Sequence, residues 1–170
     1  YESCLREAYV IACFSKRRDL ISAAVKKAAK KVCGIAIVND SLLDEVTALN
    51  EWPIALVGSF DKEFLGVPTE ALISSMAEHQ KYFHLTNTDG ELLPLFITIS
   101  NIESKDPSQI VSGNERVIRP RLSDAAFFYN TDKKTTLEKR RESLKSIIFQ
   151  EKLGTVYEKT DRLSALAEYI

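Results

Sequence analysis

Long apolar runs are missing from this 170-residue chain. Even the stretch from Ala23 to Val32 is broken by Lys26, Lys27, Lys30 and Lys31, far short of the roughly 20 residues that cross a bilayer, so a membrane-spanning helix is excluded. Net charge is also nearly absent. Lys and Arg number 23 against 24 Asp and Glu, for a formal charge of -1, which excludes a global attraction to nucleic acid or to an anionic membrane. Any contact with RNA must then be local. Cysteine is scarce: Cys4, Cys13 and Cys33 are an odd, widely spaced set with no CxxC pair, against a disulfide framework or a thiolate zinc site and in favour of a reducing, cytoplasmic setting. The chain opens at Tyr1-Glu2-Ser3 with neither an initiator methionine nor the layout of a signal peptide, and both ends read as cuts in a longer protein.

The familiar catalytic signatures are missing as well. There is no GxGxxG, no Walker loop, no HExxH and no GxSxG elbow. His79 and His84 stand five apart across a helix end, and a metal site built on them would need carboxylates from elsewhere, so no metal is expected. Cys13 or Cys33 as a nucleophile would need a base that the sequence does not identify, which leaves each as a small buried apolar residue. No catalytic residue is assigned.

What is present is enough apolar content, 45%, to bury one core. Ile21, Val25, Ala28 and Val32 recur at helical spacing between lysines, and Gly34 is expected to stop that helix. Ser41 and Asp44 suggest a capping box for a short helix with Leu42, Val46 and Leu49 as its apolar stripe, closed by Pro53. A buried strand is expected over 54–60. Pro68 then sits at the first turn of a helix carrying Leu72, Met76, His79 and Phe83 on one face. Residues 82–86, the turn Asn87-Thr88-Asp89-Gly90 and the run 92–100 predict a hairpin, because Asp-Gly supplies the positive backbone angles of a tight turn. Helices are expected around 110–117 and again over 122–128, with Pro120 keeping them from forming one straight helix. The charged remainder offers Leu137, Leu144 and Ile148 as apolar anchors and a last helix through Val156, Leu163, Ala167 and Ile170. The expected class is α+β, a small and mainly antiparallel sheet packed with several helices and flanked by helical segments at both ends. The expected division is a helical segment over 1–50, an α+β core over 51–130 and a helical segment over 131–170 that leads to a domain beyond.

The chemically densest stretch is Ser112 to Ala125, where Arg116, Arg119 and Arg121 fall within six residues beside Gly113, Asn114 and Pro120. Guanidinium groups so placed can clamp phosphates, since each is a permanently charged planar fork of donors. The plainer reading pairs them with Glu115, Asp124 and nearby carboxylates to hold a kinked helix, and no aromatic platform is interleaved to favour stacking on bases. Both readings stay open. Lys81, in Gln80-Lys81-Tyr82-Phe83, could present a cation to RNA or simply be solvated. Trp52 before Pro53 is expected to be a core anchor with its indole N–H satisfied. Phe127-Phe128-Tyr129 reads as packing at a helix end, and Lys139-Arg140-Arg141 between Glu138 and Glu142 as a solvated face.

Several uncommon blocks follow one another in order: Asn50-Glu51-Trp52-Pro53, Phe64-Leu65-Gly66-Val67-Pro68-Thr69-Glu70-Ala71-Leu72-Ile73, His79-Gln80-Lys81-Tyr82-Phe83 and Asn101-Ile102-Glu103-Ser104-Lys105-Asp106-Pro107. Then come Gly113-Asn114-Glu115-Arg116-Val117, Arg119-Pro120-Arg121-Leu122-Ser123-Asp124-Ala125, Phe127-Phe128 with Asn130-Thr131-Asp132, Phe149-Gln150 with Leu153-Gly154-Thr155, and Lys159-Thr160-Asp161-Arg162. In this order they resemble the bacterial glycyl-tRNA synthetase beta subunit family, from about Leu42 to Ile170, with His84 and Tyr157 as small departures.

The resemblance implies an internal fragment of the beta subunit in a ligase that attaches glycine to tRNA(Gly). It implies a heterotetramer in the cytoplasm, with an alpha subunit and a second beta subunit as partners and no role for membrane or DNA. ATP and Mg2+ are expected at the alpha subunit, so no cofactor is expected in this segment. The segment is also similar to the part of the phenylalanyl-tRNA synthetase beta chain that houses an editing pocket. Three roles follow as expectations: a tRNA-supporting and assembly module with Lys81, Asn114, Arg116, Arg119 and Arg121 as RNA-binding residues; a hydrolytic editing-type pocket using Lys81, Asn114 or Glu115; or a structural spacer.

Overall fold

The computed structural model describes residues 1–170, which separate into two compact units, Tyr1–Ala126 and Phe127–Ile170. The class is α+β, as expected. Helix α1 (Glu2–Glu7) is followed by α2 (Phe14–Lys31), whose Ile21, Val25, Ala28 and Ala29 are buried at helical spacing while Lys26, Lys27 and Lys30 stay in solvent. Its end differs from expectation in one detail. The residue with a left-handed backbone is Cys33, at φ 55°, and the Gly34 N–H closes back on the Ala29 carbonyl at 3.0 Å. Gly34 is needed for room rather than for backbone angle, since a Cβ there would stand 2.9 Å from Leu85 and 3.2 Å from Leu93.

Helix α3 (Asp40–Leu49) starts one residue earlier than its anticipated cap. Asn39, not Ser41, is the N-cap, accepting from the Ser41 N–H at 2.8 Å. Its buried stripe is Leu42, Leu43, Val46 and Thr47, and Leu49 faces solvent, because a helix packed broadly on a sheet buries adjacent rows rather than a single line. Arg18 of α2 ties the two helices together by pairing with Asp40 at 2.6 Å and Asp44 at 2.5 Å.

A four-stranded antiparallel sheet lies against α2 and α3. It is built from β1 (Ile35–Ala36), β2 (Ile54–Ser59), β3 (Phe83–Thr86) and β4 (Leu92–Ser100), in the order β1-β3-β4-β2. The short edge strand β1 carries too little pattern to be read from sequence. Phe83, Leu85 and Ile97 point at the helices and join Ile21, Val25 and Leu43 in one core, so residues before position 50 share their hydrophobic interior with the sheet. The β3–β4 hairpin forms as expected, with Gly90 at φ 83°, and its register shifts between His84 and Thr86, opposite the part of β4 that holds Pro94. A proline, lacking the ladder donor, is accommodated at such an irregularity.

Between β2 and β3 the chain forms a 3₁₀ turn over Lys62–Gly66, helix α4 (Thr69–Ser74) and one π turn over Ser75–His79. The single helix expected to reach Phe83 therefore stops short. The π turn ends it, Lys81 takes a left-handed φ of 60°, and Phe83 belongs to the strand; Leu72 and Met76 are fully buried as anticipated.

Helix α5 (Pro107–Asp132) is continuous where two helices were expected. Pro107 fits its first turn, and Pro120 costs one backbone bond, to the carbonyl of Arg116. Both Arg116 and Pro120 are exposed, so water can meet that carbonyl, and the side-chain ties described below hold the helix. Ile118 and Leu122 are its buried residues.

The second unit contains the end of α5, α6 (Leu137–Ser143), a 3₁₀ turn at Leu144–Ser146, a two-stranded hairpin of β5 (Ile148–Gln150) and β6 (Gly154–Thr155), and α7 (Val156–Tyr169). The hairpin was not visible in the charged sequence. Of the anchors expected there, Leu137 and Ile148 are 81% and 75% exposed, so only Leu144 turns partly inward. Thr155 and Glu158 form a full capping box at the start of α7.

Candidate functional site

The residues singled out on α5 are sorted by the helix itself. Asn114 faces the sheet: its carbonyl oxygen accepts from the Tyr82 hydroxyl at 2.6 Å and its amide donates to the Ile110 carbonyl at 2.7 Å. Tyr82 in turn stacks on Phe96, with ring centroids 4.5 Å apart and planes inclined by 15°. Burial raises the Tyr82 phenol to about 12. On the same side of β4, Gly58 lies directly on the face of the Phe96 ring, so any side chain at 58 would collide with it. One residue on, Glu115 accepts from both the backbone N–H and the hydroxyl of Ser59, at 2.8 and 2.7 Å. Arg119 pairs with Asp61 at 3.2 Å. Three successive contacts thus fasten α5 to the end of β2 and to the residue before β3.

Arg116 and Arg121 are exposed and make no ion pair. At about 100° per residue, Arg116 and Arg119 lie about 60° apart on the helix, whereas Arg119 and Arg121 lie about 160° apart. The three arginines therefore do not converge on one point. The carboxylates expected as partners, Glu115 and Asp124, hold none of them; Glu115 is taken by Ser59 and the paired carboxylate is Asp61, a residue whose proximity only the fold reveals.

Lys81 sits elsewhere, on the left-handed residue that follows the π turn. Its ammonium group donates to the Glu78 carbonyl at 2.9 Å and pairs with Glu45 of α3 at 2.8 Å. With Ile37, Asn39, Ser41, Ile73 and His84 among its neighbours, it lines a cavity of about 430 Å³. Burial lowers the pKa of His84, favouring the neutral ring. His79 is exposed and outside this cavity. The combination of a π turn, a left-handed lysine and an ion pair at a cavity was not visible in the spacing, although backbone irregularities of this kind are enriched at functional sites.

The remaining candidates take simpler places. Cys13 is partly buried, and its thiol pKa is lowered by the hydrogen bond with the Ser15 hydroxyl at 3.2 Å; Cys33 is exposed rather than buried as expected, and Cys4 is exposed as well. Trp52 is half-buried and meets the Tyr9 ring edge-on at 5.3 Å, but its indole N–H is buried with no acceptor, contrary to expectation. The neighbouring backbone is held by Asn101, whose side-chain oxygen accepts from the Glu51 and Trp52 N–H groups at 2.7 and 2.8 Å. Phe127 and Phe128 are 63% exposed, so they do not pack as a helix end was expected to. No helix is long and apolar enough to cross a membrane.

Comparison with known proteins places this geometry in context. The family model described as "Glycyl-tRNA synthetase beta subunit" matches residues 1–170. A glycine–tRNA ligase beta subunit from Marinobacter nauticus is 61% identical over 172 positions, covering 100% of this chain and 25% of the relative. The protein of the same name from Hahella chejuensis is 56% identical over 100% of the chain and 25% of the relative. That from Pseudoalteromonas atlantica is 59% identical over 98% and 24%. The chain spans about a quarter of the length of the curated relatives it matches.

Proposed function

Since the chain belongs to the glycyl-tRNA synthetase beta subunit family, we propose that it serves glycine–tRNA ligase as a module that supports tRNA binding and subunit assembly, without carrying out the ligation itself. The observation that carries this reading is the fixing of α5. Asn114, Glu115 and Arg119 are consumed in holding the helix to the sheet, which leaves Arg116 and Arg121 as cations projected from a rigid element. Rigid, exposed guanidinium groups bind phosphate oxygens at low entropic cost and orient an RNA backbone without reading its sequence. Lys81 and Asn114, both engaged within the fold, take positioning roles in this reading. ATP, Mg2+ and glycine would be handled by the alpha subunit of a cytoplasmic heterotetramer.

The test is tRNA(Gly) affinity of the intact two-subunit enzyme at two or more salt concentrations. Arg116→Ala and Arg121→Ala should each weaken binding several-fold and reduce the slope of log K against log salt by roughly 0.7–0.9 per lost phosphate contact. Their thermal stability should be unchanged. Arg119→Ala should loosen α5 as well, because Asp61 loses its partner. Wild-type affinity and salt slope in the Arg116/Arg121 double variant would refute the phosphate-contact reading.

The hydrolytic alternative draws support from one observation, the cavity beside Lys81, Glu45 and His84. Asn114 and Glu115 do not serve it, since their polar atoms are committed to Tyr82 and Ser59. Release of an amino acid from aminoacyl-tRNA by the beta subunit alone, abolished by Lys81→Met, would establish that reading.

A further inference from the structure

All of the fully or nearly fully buried apolar residues of this chain lie at or before Leu122. The unit from Phe127 to Ile170 has none, yet it carries eleven large apolar side chains that are exposed. It is nevertheless ordered locally. The capping box starts α7, Arg141 pairs with Asp161, and the cations of Arg141 and Lys145 sit over the Tyr157 ring at 4.5 and 4.7 Å, as Lys159 does over Phe149 at 4.1 Å. These contacts use the first turns of α7 and leave Leu163 and Leu166 outward at helical spacing, 53% and 54% exposed. Ile148 and Leu153 of the hairpin are exposed as well. A unit of this size without a core does not sustain its fold on hairpin and helix-cap hydrogen bonds alone.

We propose that this apolar face is a docking surface for a segment of the same beta-subunit polypeptide lying outside residues 1–170. The length of the relatives supplies the occupant: three quarters of each is polypeptide that this chain does not contain. A segment of the same polypeptide that reaches the face meets it intramolecularly, at an effective concentration set by its tether, which favours it over a separate subunit for the same contact. The chemistry of the face points the same way. Leu163, Leu166, Ile148 and Leu153 are aliphatic, and an apolar partner covers such side chains better than a phosphate backbone does. Leu163 and Leu166, three residues apart, are anchors for an apolar groove or for a second helix. The proposal depends on membership of the family and not on where the arginines of α5 bind.

The test uses the full-length beta subunit in the intact enzyme. With a benzophenone amino acid introduced at position 166 (Leu166→p-benzoylphenylalanine), irradiation should join α7 to a peptide of the same beta chain beyond residues 1–170. Mixing isotopically labelled and unlabelled beta subunits identifies the chain of origin. Adducts to the alpha subunit, to the second beta copy, to tRNA or to residues 1–126 would each overturn the proposal. Hydrogen exchange on the unmodified enzyme guards against an uninformative variant: amides of residues 160–169 should exchange at least about a hundredfold more slowly than an unstructured chain. Exchange at the unstructured rate would show that nothing covers the face and would overturn it as well.

Discussion

The two units solve the problem of staying folded in opposite ways. In residues 1–126 a four-stranded sheet is covered by α2 and α3, and long-range polar ties such as Glu115 to Ser59 fasten α5 over β2. In residues 127–170 the secondary structure is held by caps, a short hairpin and cation–aromatic contacts, with no residue fully removed from water. Burial gives the first unit a core of its own. The second has its backbone geometry but lacks the apolar burial that stabilises folds, so its persistence depends on what it meets.

The contrast can be broken most sharply at the cores. Phe83→Ala removes a fully buried ring and should cost the first unit about 3–5 kcal/mol, read as faster exchange of the β3 and β4 amides. Leu163→Ala in the second unit should change stability of the 170-residue chain by less than about 0.5 kcal/mol. A comparable cost for both would erase the distinction. Next in size is Asn114→Ala, which leaves the buried Tyr82 hydroxyl without its acceptor and should cost about 1–3 kcal/mol, measured in the same exchange experiment with additional loosening of α5. Smaller still, Thr155→Ala removes half of a capping box and should cost α7 about 1 kcal/mol, visible in residues 156–160 and silent in the sheet.

The least effect at ordinary pH concerns Tyr82. Its phenol is pushed up to about 12 by burial, from 10 in an unfolded chain, so the fold favours the neutral form. That stabilisation is fully present below pH 10 and is lost as the pH climbs from 10 through 12. Alkaline denaturation should therefore begin near pH 10 in the first unit, and Tyr82→Phe should flatten that branch while weakening the link to Asn114.

Much of the first unit was legible in sequence because its elements are periodic and punctuated. The β3–β4 hairpin declared itself through Asp89-Gly90, and the buried face of α2 through Ile21, Val25 and Ala28. Where the reading failed, long-range structure had overridden a local signal. Pro120 reads as a break in the sequence, but a helix fastened through Asn114, Glu115 and Arg119 tolerates one missing backbone bond. The helix expected to reach Phe83 was redirected by a π turn that has no marker in residue spacing. The candidate site was half legible. Composition marks out the Arg116–Arg121 stretch, but only the fold shows that Arg119 is spoken for by Asp61, 58 positions away, and that Lys81 answers to Glu45. The second unit gave little away, since its charged segments carry no periodic apolar pattern until α7.

Trp52 is the sole tryptophan of the chain, and it lies in the first unit with its ring against the edge of Tyr9. Indole fluorescence is consequently a selective optical gauge: its emission follows the opening of residues 1–126 and is blind to melting of the rest. Tyr129, Tyr157 and Tyr169 are the only intrinsic chromophores of that kind beyond residue 126 apart from phenylalanine. The other three tyrosines, Tyr1, Tyr9 and Tyr82, lie in the first unit, so the tyrosine signal mixes both units, and it is the lag between tryptophan emission and the far-ultraviolet trace that marks a second transition.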